Sequence, residues 1–119
     1  MHRIPLLAMF ALVLALAPAT LAATRTSTLS GVTGPGFTIT LKNGGTTVKT
    51  LKAGTYTIVI SDKSSIHNYH LFGPGVDKKT TVPFTGTQTW TVKLKAGTYT
   101  YQCDVHAAAG MKGSFKVSG

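Results

Sequence analysis

Cys103 is the chain's single cysteine, and His106 and Met111 follow it closely in the run Cys103-Asp104-Val105-His106-Ala107-Ala108-Ala109-Gly110-Met111. A thiolate, an imidazole and a thioether are thus gathered in one short segment. Soft sulfur donors select Cu(I) among the biological metals and nitrogen binds Cu(II) strongly, so this donor set points to copper, one ion per chain. Zinc fits less well, because structural zinc sites are built from several Cys or His side chains and rarely use a thioether. Each residue taken alone has a plainer reading, the free cysteine as a small buried hydrophobe and the methionine as core filling. Their joint spacing is what favours the metal.

In a strand, residues three apart face opposite sides, so Cys103 and His106 can share an ion only if the chain curls away after Cys103. Ala107, Ala108, Ala109 and Gly110 are small enough for such a loop. A second imidazole would complete a trigonal set, and His2 lies in the N-terminal leader, which leaves His67 or His70. Alternation puts His67 and Tyr69 on one face of a strand and Asn68 and His70 on the other, so one strand does not offer both imidazoles to one ion. Spacing alone does not choose between them.

The elements that must position these residues read as short strands: residues 28–32, 37–41, 46–51, 55–62, 67–72, 80–84, 87–94, 98–103 and 113–117. Gly34-Pro35-Gly36, Asn43-Gly44-Gly45, Ala53-Gly54, Gly73-Pro74-Gly75 and Ala96-Gly97 separate them as turn formers. About eight strands in so short a chain predict an all-β, Greek-key sandwich. The heptapeptide Leu51-Lys52-Ala53-Gly54-Thr55-Tyr56-Thr57 recurs as Leu94-Lys95-Ala96-Gly97-Thr98-Tyr99-Thr100, offset by 43 residues. Two copies do not make a solenoid. They are expected to be equivalent strand-entry corners in the two halves of the sandwich.

The chain has 119 residues, and its start carries a three-part export pattern: His2 and Arg3, an apolar run from Leu6 to Leu16, and a small-residue exit after Pro18. Cleavage is expected after Ala22 or Ala23, leaving a single domain over residues 24–119. The polar stretch Thr24-Arg25-Thr26-Ser27 arrives too soon for a spanning helix. The product should be periplasmic or extracellular, with no membrane segment. Nineteen of the remaining 96 residues are Thr and thirteen are Gly, which favours strands and turns over helices. The slightly positive mean hydropathy of +0.18 comes from the leader. One cysteine precludes an intramolecular disulfide.

Here the residues reach a resemblance. The His67-Asn68 pair, followed by Cys-x2-His-x4-Met and closing in Gly110-Met111-Lys112-Gly113, is similar to the type 1 copper site of plastocyanin and its cupredoxin relatives. The likeness covers nearly all of the chain after the leader, including Gly97-Thr98-Tyr99 and the closing strand Gly113-Ser114-Phe115-Lys116-Val117. It implies a cupredoxin-like sandwich, with copper held by His67, Cys103 and His106 in a trigonal plane and Met111 as a long, weak axial ligand. It selects the His before Asn, leaving His70 as the less favoured ligand. It implies that Asn68 ties the His67 loop to the Cys103 loop, which limits rearrangement between oxidation states. The edge of His106, beside Ala107, Ala108 and Ala109, is the implied electron port. Gln102 stands where photosynthetic plastocyanins carry a tyrosine, Ile66 stands where a proline commonly precedes the first ligand, and the chain has no acidic cluster. It is closer to the bacterial plastocyanin- and amicyanin-like group.

The expected function is transfer of single electrons between redox proteins by Cu(I)/Cu(II) cycling; buffering or delivery of copper in the cell envelope is the alternative. Delivery sites usually have open Met- or His-rich surface ligands, whereas only Met111 of the methionines lies near this motif. Catalysis is not expected, since beyond the four candidate ligands only His70 and three Asp remain to act on a substrate. Twelve Lys plus Arg stand against three Asp; loss of Arg3 with the leader gives a net charge of +8. That charge speeds encounter with partners that present an acidic docking surface. The lysines are scattered, and no concentrated basic run or aromatic cluster supports nucleic-acid binding. A monomer is expected.

Overall fold

A computed structural model describes residues 13–15 and 27–119. The expected leader, with its cleavage point at Ala22 or Ala23, lies outside the described residues apart from residues 13–15. Among the described residues, ten strands form two five-stranded sheets. The first contains β1 (Ser27–Thr33), β2 (Ile39–Asn43), β3 (Thr46–Thr47), β5 (Gly54–Asp62) and β8 (Gly86–Leu94), in the order β3-β2-β1-β5-β8. The second contains β4 (Thr50–Lys52), β6 (His70–Gly73), β7 (Val76–Lys79), β9 (Gly97–Gln102) and β10 (Lys112–Ser118), in the order β4-β10-β9-β6-β7. Most neighbours are antiparallel, but β1 runs parallel to β5 and β4 parallel to β10. No helix among the described residues is long and apolar enough to cross a membrane.

Alternation in the sequence becomes the sandwich core. Along β5, Tyr56, Ile58 and Ile60 point inward while Thr55, Thr57 and Val59 point away. Trp90, Val92 and Leu94 of β8 do the same, as do Tyr99 and Tyr101 of β9 and Phe115 and Val117 of β10. Each fully buried aliphatic side chain contributes about 1.5–3 kcal/mol. Tyr69 stacks on Tyr101 with ring centroids 6.0 Å apart, and Tyr99 stacks on Phe115 at 5.4 Å. Three of these four rings lie on β9 and β10, so the aromatic layer stiffens the sheet that carries the Cys103 motif.

Both copies of the heptapeptide are corners where the chain changes sheet. The first leads from β4 in the second sheet into β5 in the first; the second leads from β8 in the first sheet into β9 in the second. Each tyrosine turns back on its own corner. The Tyr56 hydroxyl donates to the Lys52 carbonyl at 2.6 Å, and the Tyr99 hydroxyl accepts from the Lys95 N–H at 3.0 Å.

Three expected strands differ. Residues 46–51 divide into β3 and β4 in different sheets, with buried Val48 between them donating to the Leu41 carbonyl at 2.9 Å. The stretch 67–72 becomes a strand only from His70. Residues 80–84 form a loop, and Val76–Lys79 supplies the strand instead. Thr80 is engaged elsewhere: its N–H donates to the Tyr69 carbonyl at 3.0 Å, and its hydroxyl accepts from the Tyr69 N–H at 2.9 Å. Pro83 then removes a donor, and Phe84 closes a turn onto Thr81.

Candidate metal centre

Register brings the chemistry to one end of the second sheet. His70 pairs with Gln102, and Lys112 pairs with Gln102 from the other side. The residues just before β6, just after β9 and just before β10 therefore converge. These are His67, Cys103 and Met111.

After Cys103 the chain curls. The His106 N–H donates to the Cys103 carbonyl at 3.1 Å, and a 3-10 turn follows over Ala107–Ala109. Gly110 ends that turn at φ 95, in the left-handed region where a side chain is strained. The loop closes through two backbone bonds, Met111 N–H to the His106 carbonyl at 3.2 Å and Cys103 N–H to the Met111 carbonyl at 3.1 Å. The His67 segment is shaped by Asp62, whose carboxylate accepts the Ser64 N–H at 3.1 Å, and by the His67 N–H, which donates to the Ser64 carbonyl at 3.3 Å. Burial pushes the Asp62 carboxyl above its ordinary range.

The ligand atoms of His67, Cys103 and His106 all lie within 4.8 Å of one another. The two Nδ1 atoms are 3.0 Å apart, and Cys103 Sγ lies 3.8 Å from His67 Nδ1 and 3.5 Å from His106 Nδ1. His67 and Cys103 are fully buried, His106 is half-buried, and Met111 is buried. His67 Nε2 is buried without a hydrogen-bond partner. A pair of imidazoles facing each other through Nδ1 beside a thiol satisfies few of its polar atoms by itself. It does satisfy a soft cation, so the residues fit copper.

Asn68 links the two loops. Its Oδ1 accepts the Asp104 N–H at 2.8 Å, and its Nδ2 donates to Asp104 Oδ2 at 3.0 Å and to the Thr80 carbonyl at 3.3 Å. His70, the other imidazole weighed from sequence, stays outside the cluster. It contacts Asp104 and Asp77. Burial pushes the Asp104 carboxyl up, but hydrogen bonds from Gln102, His70 and Asn68 outweigh it and hold the group below the usual carboxylate range.

Two residues at the site were not singled out from sequence. Phe37 sets its ring edge-on to His67 at 5.3 Å and to His106 at 4.7 Å, yet remains 65% exposed. Nothing in its spacing signals this, since a long-range contact between the sheets places it there. Asp104 had a signal in its position between Cys103 and His106 in a chain with only three acids.

Residues 37–118 match the family described as copper binding proteins, plastocyanin/azurin family. The chain belongs to that family. As a cupredoxin it is a blue copper protein with one copper ion per chain. No curated protein matches the sequence. Among solved structures it is similar to reduced rusticyanin, at 22% identity and TM-score 0.57 over 78% of this chain and 79% of that one. Rusticyanin from Thiobacillus ferrooxidans gives 24% identity and TM-score 0.55 over 78% and 77%. A multi-copper oxidase from Pediococcus acidilactici is similar at 18% identity and TM-score 0.57, but 88% of this chain corresponds to only 29% of that one. At these identities the structural likeness speaks to the fold.

Proposed function

We propose that this cupredoxin carries single electrons between redox proteins, with its copper held by His67, Cys103, His106 and the weaker donor Met111. The observation that carries the reading is the convergence of the His67, Cys103 and His106 donor atoms within 4.8 Å, on loops cross-tied by Asn68. When bound, copper supplies a one-electron Cu(I)/Cu(II) couple. The protein's own residues do the rest. Asn68 and Asp104 hold the two loops in one arrangement, which limits movement between oxidation states. The half-buried His106 ring offers an edge toward solvent, and exposed Phe37, Ile66 and Val105 give this chain an apolar surface suited to a brief encounter.

The partners are redox proteins with an acidic docking surface: among the described residues the ion pairs involve only His70 with Asp77 and Asp104, so the lysines stand without carboxylate partners. The protein works as a monomer, exported by the leader at residues 1–23 as one domain over 24–119, in the periplasm or outside the cell. It is not an enzyme, because a donor set of two imidazoles, a thiolate and a thioether leaves no evident position for substrate.

The test is to add one equivalent of Cu(II) to the purified metal-free protein and record visible absorption and copper EPR together. Intense blue thiolate charge transfer with narrow hyperfine splitting supports the carrier. A pale spectrum with ordinary splitting, together with copper transfer to a metal-free acceptor, would favour delivery instead.

A further inference from the structure

We propose that His70 is a positioning residue, a latch that anchors the Cys103 loop to the β6–β7 hairpin through Asp104. Its Nδ1 lies 2.8 Å from Asp104 Oδ1 and its Nε2 lies 2.6 Å from Asp77 Oδ1. Carboxylate oxygens face both ring nitrogens, and a ring donating from both satisfies both contacts. The ring also packs against Phe72 of its own strand, with centroids 4.8 Å apart, which fixes its direction. His70 is thereby committed to neighbours other than copper.

What it holds matters more than what it lacks. Asp104 Oδ1 also accepts from Gln102 Nε2 at 3.0 Å, while Asp104 Oδ2 and the Asp104 N–H engage Asn68. The chain of contacts Asp77–His70–Asp104–Asn68 thus crosses β7, the start of β6, the loop after β9 and the loop before β6. Asp104 is covalently next to Cys103, and Asn68 is next to His67. Each end of the Asn68–Asp104 pair therefore adjoins a candidate metal donor, and His70 braces that pair through Asp104 Oδ1. The allocation of charge is also informative. Of the chain's three acids Asp62 is buried, and the other two meet on this one imidazole although Lys78 directly follows Asp77.

The Asp77 side chain is 77% exposed, so the outer contact adds little to global stability. The latch acts on local order. Its value to electron transfer rests on the copper reading above, but its existence does not, and metal-free protein tests it directly.

The experiment is hydrogen exchange followed by NMR on metal-free wild type, His70→Ala and Asp77→Ala, with the reduction potential measured on the same three after copper loading. The latch predicts that His70→Ala speeds exchange at the Asp104 N–H and the Asn68 side-chain amide by about tenfold, while Ile58 and Ile60 in β5 keep their protection. Asp77→Ala should show a smaller change at the same two sites, and the potentials should shift in the same order. Unchanged exchange at Asp104 and Asn68 overturns the proposal, as does acceleration spread evenly through β5. Should His70→Ala fail to fold, Asp77→Ala decides by the same readout. If wild type never develops a blue spectrum, the copper reading fails while the exchange result still judges the latch.

Discussion

The Nδ1 atoms of His67 and His106 face each other at 3.0 Å across a gap bounded by the Cys103 sulfur. At most one proton can satisfy that contact, because a neutral imidazole has a single N–H. Whichever ring donates, His67 Nε2 is left buried with no partner. An unpaired buried polar atom costs about 1–3 kcal/mol. The fold accepts that cost to keep two imidazole Nδ1 atoms and a thiol aimed at one point, an arrangement that serves a ligand set better than a packed core.

Cys103→Ser should abolish the blue charge-transfer band while leaving the sheets intact. Serine keeps the branching of the side chain with a smaller atom, and its oxygen is a hard donor and a poor ligand for Cu(I). Copper titration followed by visible absorption and EPR checks this. A variant that stays blue would remove Cys103 from the site, and a blue His67→Ala alongside a colourless His70→Ala would show that the wrong imidazole had been assigned.

Gly31→Ala should destabilise the metal-free protein by about 1–3 kcal/mol, the usual cost of overpacking a core. A methyl there would meet Ile60 Cδ1 at 2.7 Å and Tyr69 Cζ at 2.8 Å. The Ile60 tip can swing aside. Tyr69 cannot do so easily, because its ring stacks on Tyr101 and its hydroxyl donates to the Thr40 carbonyl at 3.0 Å. Tyr69 lies two residues after His67, so the copper spectrum should broaden as well. Urea unfolding measures the first effect and EPR linewidth the second; an unchanged midpoint would mean that the core has slack at this position.

Much of this architecture is legible in the sequence, for reasons that vary by residue. The alternation of β5 and β8 can be read because each strand buries one face against the core, and period two survives in the residue types. The curl after Cys103 is legible because two ligands three apart cannot share a strand face. Sequence could not show that Thr80 spends its N–H and hydroxyl on Tyr69, since that bond depends on two loops meeting, and so residues 80–84 read as a strand. Spacing alone also left His67 and His70 tied, and only the resemblance favoured His67. Register separates them: β6 begins at His70, opposite Gln102, which leaves His67 in the preceding loop free to face Cys103. Phe37 could not be found at all, because its partners are remote in the chain.

Phe37→Ala should lower the reduction potential. The ring shields the edges of His67 and His106, and removing it lets water nearer the site. Water stabilises the more highly charged oxidised centre, and the apolar surroundings of a metal are a main control on its potential. Because Phe37 is largely exposed, stability should change little. Cyclic voltammetry on wild type and variant checks the direction, and an equal or higher potential would mean that the ring provides no dielectric shielding.

Asp104→Asn should flatten part of the acid response of the metal-free protein. The wild-type carboxyl is held below its ordinary value despite burial, by donors on Gln102, His70 and Asn68. A depressed folded-state value means that ionised Asp104 stabilises the fold above the unfolded value of about 3.9, and that this contribution disappears as pH falls through the lower folded-state value. Asp62 moves the other way, since burial raises it and protonation relieves the strain of its charge, but both proteins contain it. Its effect cancels in their difference. Wild type should therefore exceed Asp104→Asn in urea midpoint above the unfolded value of about 3.9, and the gap should close as pH falls below it. A gap that stays constant across that window would show that the Asp104 carboxylate is not held by these donors in solution, and that its backbone bond to Asn68 alone joins the two loops.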